Sequence, residues 1–188
     1  MSDLKNLCNR LTDIGYHAIF RHPGNEAVID TLWDNREKRG NMEALVTDNT
    51  LSWLCRFIAS EILFKKDVTF LYRISNKVLA DVYLHAALEN YSGQMSDWGF
   101  RLGPDDLGDL GKRIIIFEDA SLENWRPYLT DDRKITYIGF LEQVYHHDDY
   151  RIKDIACLYL IHLKRLSFVL EGDAKERDKV IEQVSKQF

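Results

Sequence analysis

The sequence predicts an all-α protein, built either as stacked antiparallel helix pairs or as an irregular helical bundle. Three observations lead there. Apolar residues recur at three- and four-residue spacing along most of the chain, the period of one helix face. Glycine (10) and proline (3) are scarce among 188 residues, too few for the many tight turns of an all-β fold. At 45% hydrophobic and 29% charged residues, the composition suits a globular chain with a real core, and a single helical domain over 1–188 is expected.

From Asp3 to Ile14 the apolar positions are Leu4, Leu7, Cys8, Leu11 and Ile14, which form one stripe. "HPGN" then interrupts, and Asn25 has the side chain of an N-cap for a helix through Trp33. Gly40 punctuates before a short helix, "NMEALVTD", ending near Asp48. In "NTLSWLCRFIASEILFKK" the stripe is Leu51, Leu54, Cys55, Ile58, Ala59, Ile62 and Leu63. Residues 75–91 follow with Val78, Leu79, Val82, Tyr83 and Ala86, capped by Ser75 or Asn76 and ended before Gly93.

Residues 92–113, "SGQMSDWGFRLGPDDLGDLGKR", hold five of the ten glycines and read as the longest loop, the best place for a functional surface. "KRIIIFED" and "KITYIGFL" are read as helix or helix edge, although β-branched residues within 113–117 and 135–140 also suit short strands. The C-terminal "AKERDKVIEQVSKQF" is a charged amphipathic helix with Val180, Ile181 and Val184 inward.

The stretch "HHDDYRIKDIACLYLIHLKR", residues 146–165, sets two histidines beside two aspartates. Consecutive side chains on a helix point about 100° apart, so one ion reaches only some of the four. The paired spacings of helical metal ligands are missing. Asp148 and Asp149 are instead expected to cap the helix that follows, at its positive end, with Lys164 and Arg165 at the negative end. Its inward stripe is Ile152, Ile155, Ala156, Tyr159, Leu160 and Leu163.

Two helices share a pattern. Arg56 is followed by Ala59 and Ser60 and then Leu63; Lys153 is followed by Ala156 and Cys157 and then Leu160. Acidic turns precede both, "VTDNTLSW" and "YHHDDY", with shorter helical stretches in "NMEALVTD" and "LENWRPYLTDDRK" before them. This resembles the second helix of HEAT-type α-helical repeats, over 41–64 and less fully over 119–165. The resemblance implies stacked helix pairs whose small residues allow close approach. Lysine at 153 and unequal repeat lengths depart from that family.

No catalytic motif emerges. Cys8, Cys55 and Cys157 are odd in number, far apart and within apolar stripes, which predicts reduced, buried thiols in a cytoplasmic protein. "LGDLGKR" lacks the strand and spacing of a phosphate loop. His85, His147, Asp148 and Asp173 can be threaded onto a metal-dependent phosphohydrolase pattern, but the gap from 85 to 147 is long. A helical-repeat DNA glycosylase would need a basic groove. No metal, cofactor or catalytic residue is assigned. The N-terminus has no basic stretch followed by an apolar core, and no run of about 18 apolar residues exists to span a membrane.

The net charge is −5, and Gln94 to Asp154 holds 13 acidic against 8 basic residues, while the rest of the chain carries 17 of each sign. That excess opposes nucleic-acid binding and suits a basic protein partner. Within it, aromatic residues alternate with acids in "SDWGFRLGPDDLGDL". The expected partner-binding residues are Asp97, Trp98, Phe100, Asp105, Asp106, Asp109, Glu118, Asp119 and Glu123; Trp98 and Phe100 either pack beneath the loop or, where exposed, are anchors inside an acidic rim. Trp125 is assigned to the core. In size, charge and absence of catalytic motifs the chain is similar to bacterial immunity proteins. That resemblance implies a non-catalytic module that binds and neutralises a cognate toxin. A helical scaffold or adaptor shares the architecture and differs in partner.

Overall fold

A computed structural model describes residues 2–22, 24–33, 36–92, 98–100, 107–136 and 149–188. Among them every regular element is helical, and extended pairing is confined to an isolated antiparallel bridge between Lys134 and Arg151. The all-α expectation is met. Where the sequence reading expects one domain, the chain groups into two compact units, Met1–Ala86 and Ala87–Phe188.

The first unit holds α1 (Ser2–Ile14), α2 (Tyr16–Phe20), α3 (Asn25–Trp33), α4 (Arg36–Thr47), α5 (Trp53–Lys66), a 3-10 turn (Val68–Tyr72) and the first part of α6 (Asn76–Ser92). The α1 stripe falls as predicted: Cys8 and Leu11 are buried and Leu4, Leu7 and Ile14 half-buried, with exposed residues between. Gly40 does not punctuate. It lies inside α4, where a Cβ would meet nothing within 4 Å, so the helix runs through it. Ser52 caps α5 by accepting from the Cys55 amide at 3.3 Å, and every residue from Cys55 to Leu63 is buried. Burying each large apolar side chain contributes about 1.5–3 kcal/mol, so α5 is the axis of this unit. α1, α3 and α4 all pack against it. Tyr16 stacks on Phe57 at 5.4 Å between ring centroids. Arg56 is buried but satisfied: Nε donates to the Val46 carbonyl at 3.0 Å, and Nη1 lies 3.4 Å from Asp81.

Cys8 of α1 and Cys55 of α5 form a disulfide across a Cα–Cα distance of 5.4 Å. The expectation of three free thiols is corrected for these two. Their separation of 47 residues hid a contact that only tertiary packing of α1 on α5 creates.

The second unit holds the end of α6, residues 98–100, α7 (Gly108–Ile116), α8 (Asp119–Trp125), a 3-10 turn (Arg126–Thr130), α9 (Ile152–Lys164) and α10 (Ala174–Ser185). α9 is its axis, buried from Ile152 to Ile161 except for half-buried Lys153. Trp125 stacks on Tyr159 at 4.6 Å, and the Tyr159 hydroxyl meets that of Tyr91 at 3.1 Å. "GDLGKR", expected in the loop, belongs to α7. Gly111 is there for close approach, since a Cβ would sit 3.1 Å from the Tyr159 hydroxyl and 2.9 Å from the Leu107 Cβ. "KRIIIFED" is helical through Ile116. In "KITYIGFL", Lys134 makes the isolated bridge and Ile135 and Thr136 are not helical, which corrects the helix-edge reading there; residues 137–141 lie outside the described ones.

The start of α9 is also built differently from the expectation. The Ile152 and Lys153 amides donate to the carbonyls of Arg133 and Asp131, both at 2.9 Å. Asp154, three residues past the cap, accepts from the Arg151 amide at 2.7 Å. Asp149, with φ 52, turns its carboxylate to Lys134 at 2.7 Å instead of capping, and Asp148 lies outside the described residues.

Candidate functional site

Among the described residues, the acids of the middle segment divide into two populations within the second unit. One is consumed by structure. Asp131 accepts from Arg133, whose guanidinium holds the carboxyl below the usual carboxylate range. Asp132 pairs with Lys153 at 2.6 Å. Asp154, fully buried, accepts from the Arg151 guanidinium at 2.9 Å and faces Arg177 Nε at 3.3 Å. Arg177 itself is fully buried, donates to the carbonyls of Gly172 and Asp149, and lies over the Tyr150 ring at 4.3 Å. Asp178 completes the cluster, 2.9 Å from both Arg151 and Lys153, and the hydrogen bond from Arg151 lowers its pKa.

The other population faces water on α7 and α8. Asp109 and Asp119 have side chains 94% and 88% exposed, with lysines only loosely placed: Lys112 at 4.0 Å and Lys164 at 3.5 Å. Glu118 and Glu123 are exposed and make no ion pair among the described residues. Glu118, Asp119 and Glu123 gather at the α7–α8 turn and the first turns of α8, while Asp109 stands at the opposite end of α7. Glu118 adopts φ 50 and ψ −123, a backbone conformation that favours glycine.

The remaining expected residues fall elsewhere. Asp97, Asp105 and Asp106 lie outside the described residues. Trp98 and Phe100 are 0% and 1% exposed, which corrects their role as surface anchors. They are core: the Trp98 amide donates to Asn90 Oδ1 at 3.1 Å, and the Phe100 ring lies 6.2 Å from Tyr91. Trp125 is buried as expected.

An apolar group missed by the sequence reading stands among the exposed acids. Ile116 is 50% exposed at the end of α7. Below it in sequence, Ile115 joins Leu107, Lys112 and His162 around a cleft of about 350 Å³. The signal was present. Three consecutive isoleucines on a helix span about 200° of arc, so with Ile114 in the core, Ile116 must turn outward.

Burial pushes the Cys157 thiol up to about 12, with Asp154 adding to the effect, so it stays protonated near neutrality. Among the described residues no group of three or more His, Cys, Asp or Glu is placed to hold a metal ion. His146, His147 and Asp148 lie outside them. Of the phosphohydrolase pattern, His85 is half exposed and 3.6 Å from Asp81, whereas Asp173 caps α10 through the Lys175 and Glu176 amides. No helix among the described residues is long and apolar enough to cross a membrane.

Comparison with protein-family models, with curated proteins and with solved structures gives no match.

Proposed function

We propose that this chain is a non-catalytic protein-binding module of HEAT-like character, an immunity protein that binds and neutralises a cognate bacterial toxin in the cytoplasm through an acidic surface. The observation that carries the reading is the exposed group Glu118, Asp119 and Glu123 beside half-exposed Ile116, with Asp109 at the far end of α7. Carboxylates already bound in ion pairs offer little to a partner; these four retain most of their field. An aliphatic contact inside a charged rim is the usual plan of a protein interface, and the acids steer a basic protein while disfavouring nucleic acid. Neutralisation then needs slow dissociation and no turnover.

The test is a triple charge reversal, Glu118→Lys, Asp119→Lys and Glu123→Lys. The partner is recovered from the native organism at low salt and identified as salt elutes it. Binding by the variant is expected to weaken at least tenfold at low salt, through a slower association rate, and to lose most of its salt dependence. Unchanged affinity and unchanged salt dependence remove this face as the interface. Recovery of a partner without toxic activity would leave a scaffold or adaptor.

A further inference from the structure

The disulfide belongs to the first unit and has no part in the proposed binding. It joins α1, the first helix, to α5, whose residues from Cys55 to Leu63 are all buried. Cys55 is fully buried and Cys8 is 5% exposed. Apart from Cys8, α1 has one fully buried side chain, Leu11, and four half-buried ones, Leu4, Leu7, Thr12 and Ile14, and it packs against α2, α4 and α5. Thr12 bonds only back onto α1, to the carbonyls of Cys8 and Asn9. The inward face of α1 is thus a narrow apolar stripe that one covalent link joins to α5.

We propose that Cys8 and Cys55 form a redox-responsive clasp that fixes α1 on α5 when oxidised and lets α1 open when reduced. Closure is a two-electron step. The two thiols lose two protons and two electrons to a glutathione-type disulfide, which is released as two thiols. In the reverse step a dithiol attacks one sulfur and frees the other as a thiol. Its second thiol then resolves the mixed disulfide, and the dithiol ends as a cyclic disulfide. Because both sulfurs are buried, attack waits for α1 to lift, so the reduction rate follows the local opening equilibrium. Cys157 belongs to the other unit, is buried in α9 and takes no part.

The full-length chain, equilibrated in buffers of defined ratio of glutathione to its disulfide, supplies the test. After acid quench and alkylation in denaturant, peptide mass mapping should find Cys8 joined to Cys55 on the oxidising side, with Cys157 alkylated. Amides of residues 2–14 should exchange roughly tenfold faster or more in the reduced state, while those of α9 keep their rate. Cys157→Ala should leave the response intact. Cys8→Ala should show the faster α1 exchange in every buffer; if that variant does not fold, the two redox states of the unmodified chain decide the question. Three alkylated cysteines under oxidising conditions would overturn the proposal, and so would α1 exchange indifferent to reduction.

Discussion

In the first unit the buried helix α5 carries Arg56 near its start and buries Ala59 and Ser60; in the second, α9 carries Lys153 and buries Ala156 and Cys157. The short residues leave room for a neighbouring backbone in both. Arg56 reaches back to the Val46 carbonyl at the end of α4, and a disulfide ties α5 to α1. α9 is held by Asp154 between Arg151 and Arg177, by Asp178 and Asp132, and by the backbone of residues 131–135. Similar helix patterns thus coexist with unlike fasteners: α5 has a disulfide beside the ion pairs of Arg56 with Asp81 and Lys66 with Asp30, whereas α9 rests on a buried carboxylate between two arginines. A repeat-like sequence motif specifies which face is buried. It does not specify what locks that face in place.

The sharpest way to break this comparison is Asp154→Ala. It removes the buried carboxylate that lies between Arg151 and Arg177, and removing one partner of a buried pair costs about 3–5 kcal/mol. Denaturant unfolding followed by amide exchange should show the loss in α9 and α10, with α4 and α5 as the reference. A change below about 1 kcal/mol would mean that the cluster is not what fastens α9.

Acid should separate the units next. In the second, Arg133, Lys134 and Arg151 hold Asp131, Asp149 and Asp178 below the ordinary aspartate value of 3.8. A carboxylate lowered in the folded state contributes stability above its unfolded pKa and loses it as pH falls through the folded one. In the first unit Asp67 is lowered likewise, first by its bond from Thr69, but the disulfide does not titrate. Below pH 3.8, α9 should lose amide protection before α5 does; the opposite order would contradict the electrostatic assignment.

The smallest effect expected is at Glu118. Its φ of 50 suits glycine, so Glu118→Gly should stabilise the second unit by about 1 kcal/mol while removing one exposed carboxylate. Thermal unfolding at neutral pH reads the gain. A lower melting temperature would mean that the Glu118 side chain supports the α7–α8 turn.

Periodicity carried most of the fold into the sequence reading. The stripe of α1 was legible because its buried positions repeat at helical spacing, and the stripes read in α5 and α9 fall within helices buried on nearly every side. What escaped were features set by contacts between distant residues. Gly40 and Gly111 look like breakers, yet one sits harmlessly in α4 and the other accommodates Tyr159. Asp149 looks like a cap until Lys134, fifteen residues earlier, claims it. Trp98 and Phe100 sit in a charged stretch that suggests exposure, but Asn90 and Tyr91 of α6 receive them in the core. At the candidate site, the exposed acids at 109, 118, 119 and 123 followed from composition. The separation between working and spare carboxylates did not, because it depends on which arginine or lysine each one meets.

Gly172 shows how far one position can be constrained by others. Its φ is +83, and its carbonyl receives Arg177 at 2.6 Å. An added Cβ would fall 1.9 Å from Oε2 of Glu176, the same oxygen that accepts from the Asp173 amide. A larger residue would therefore strain the backbone and push the Glu176 carboxylate off the amide that it caps. As the sequence diverges, substitutions at this position should be poorly tolerated.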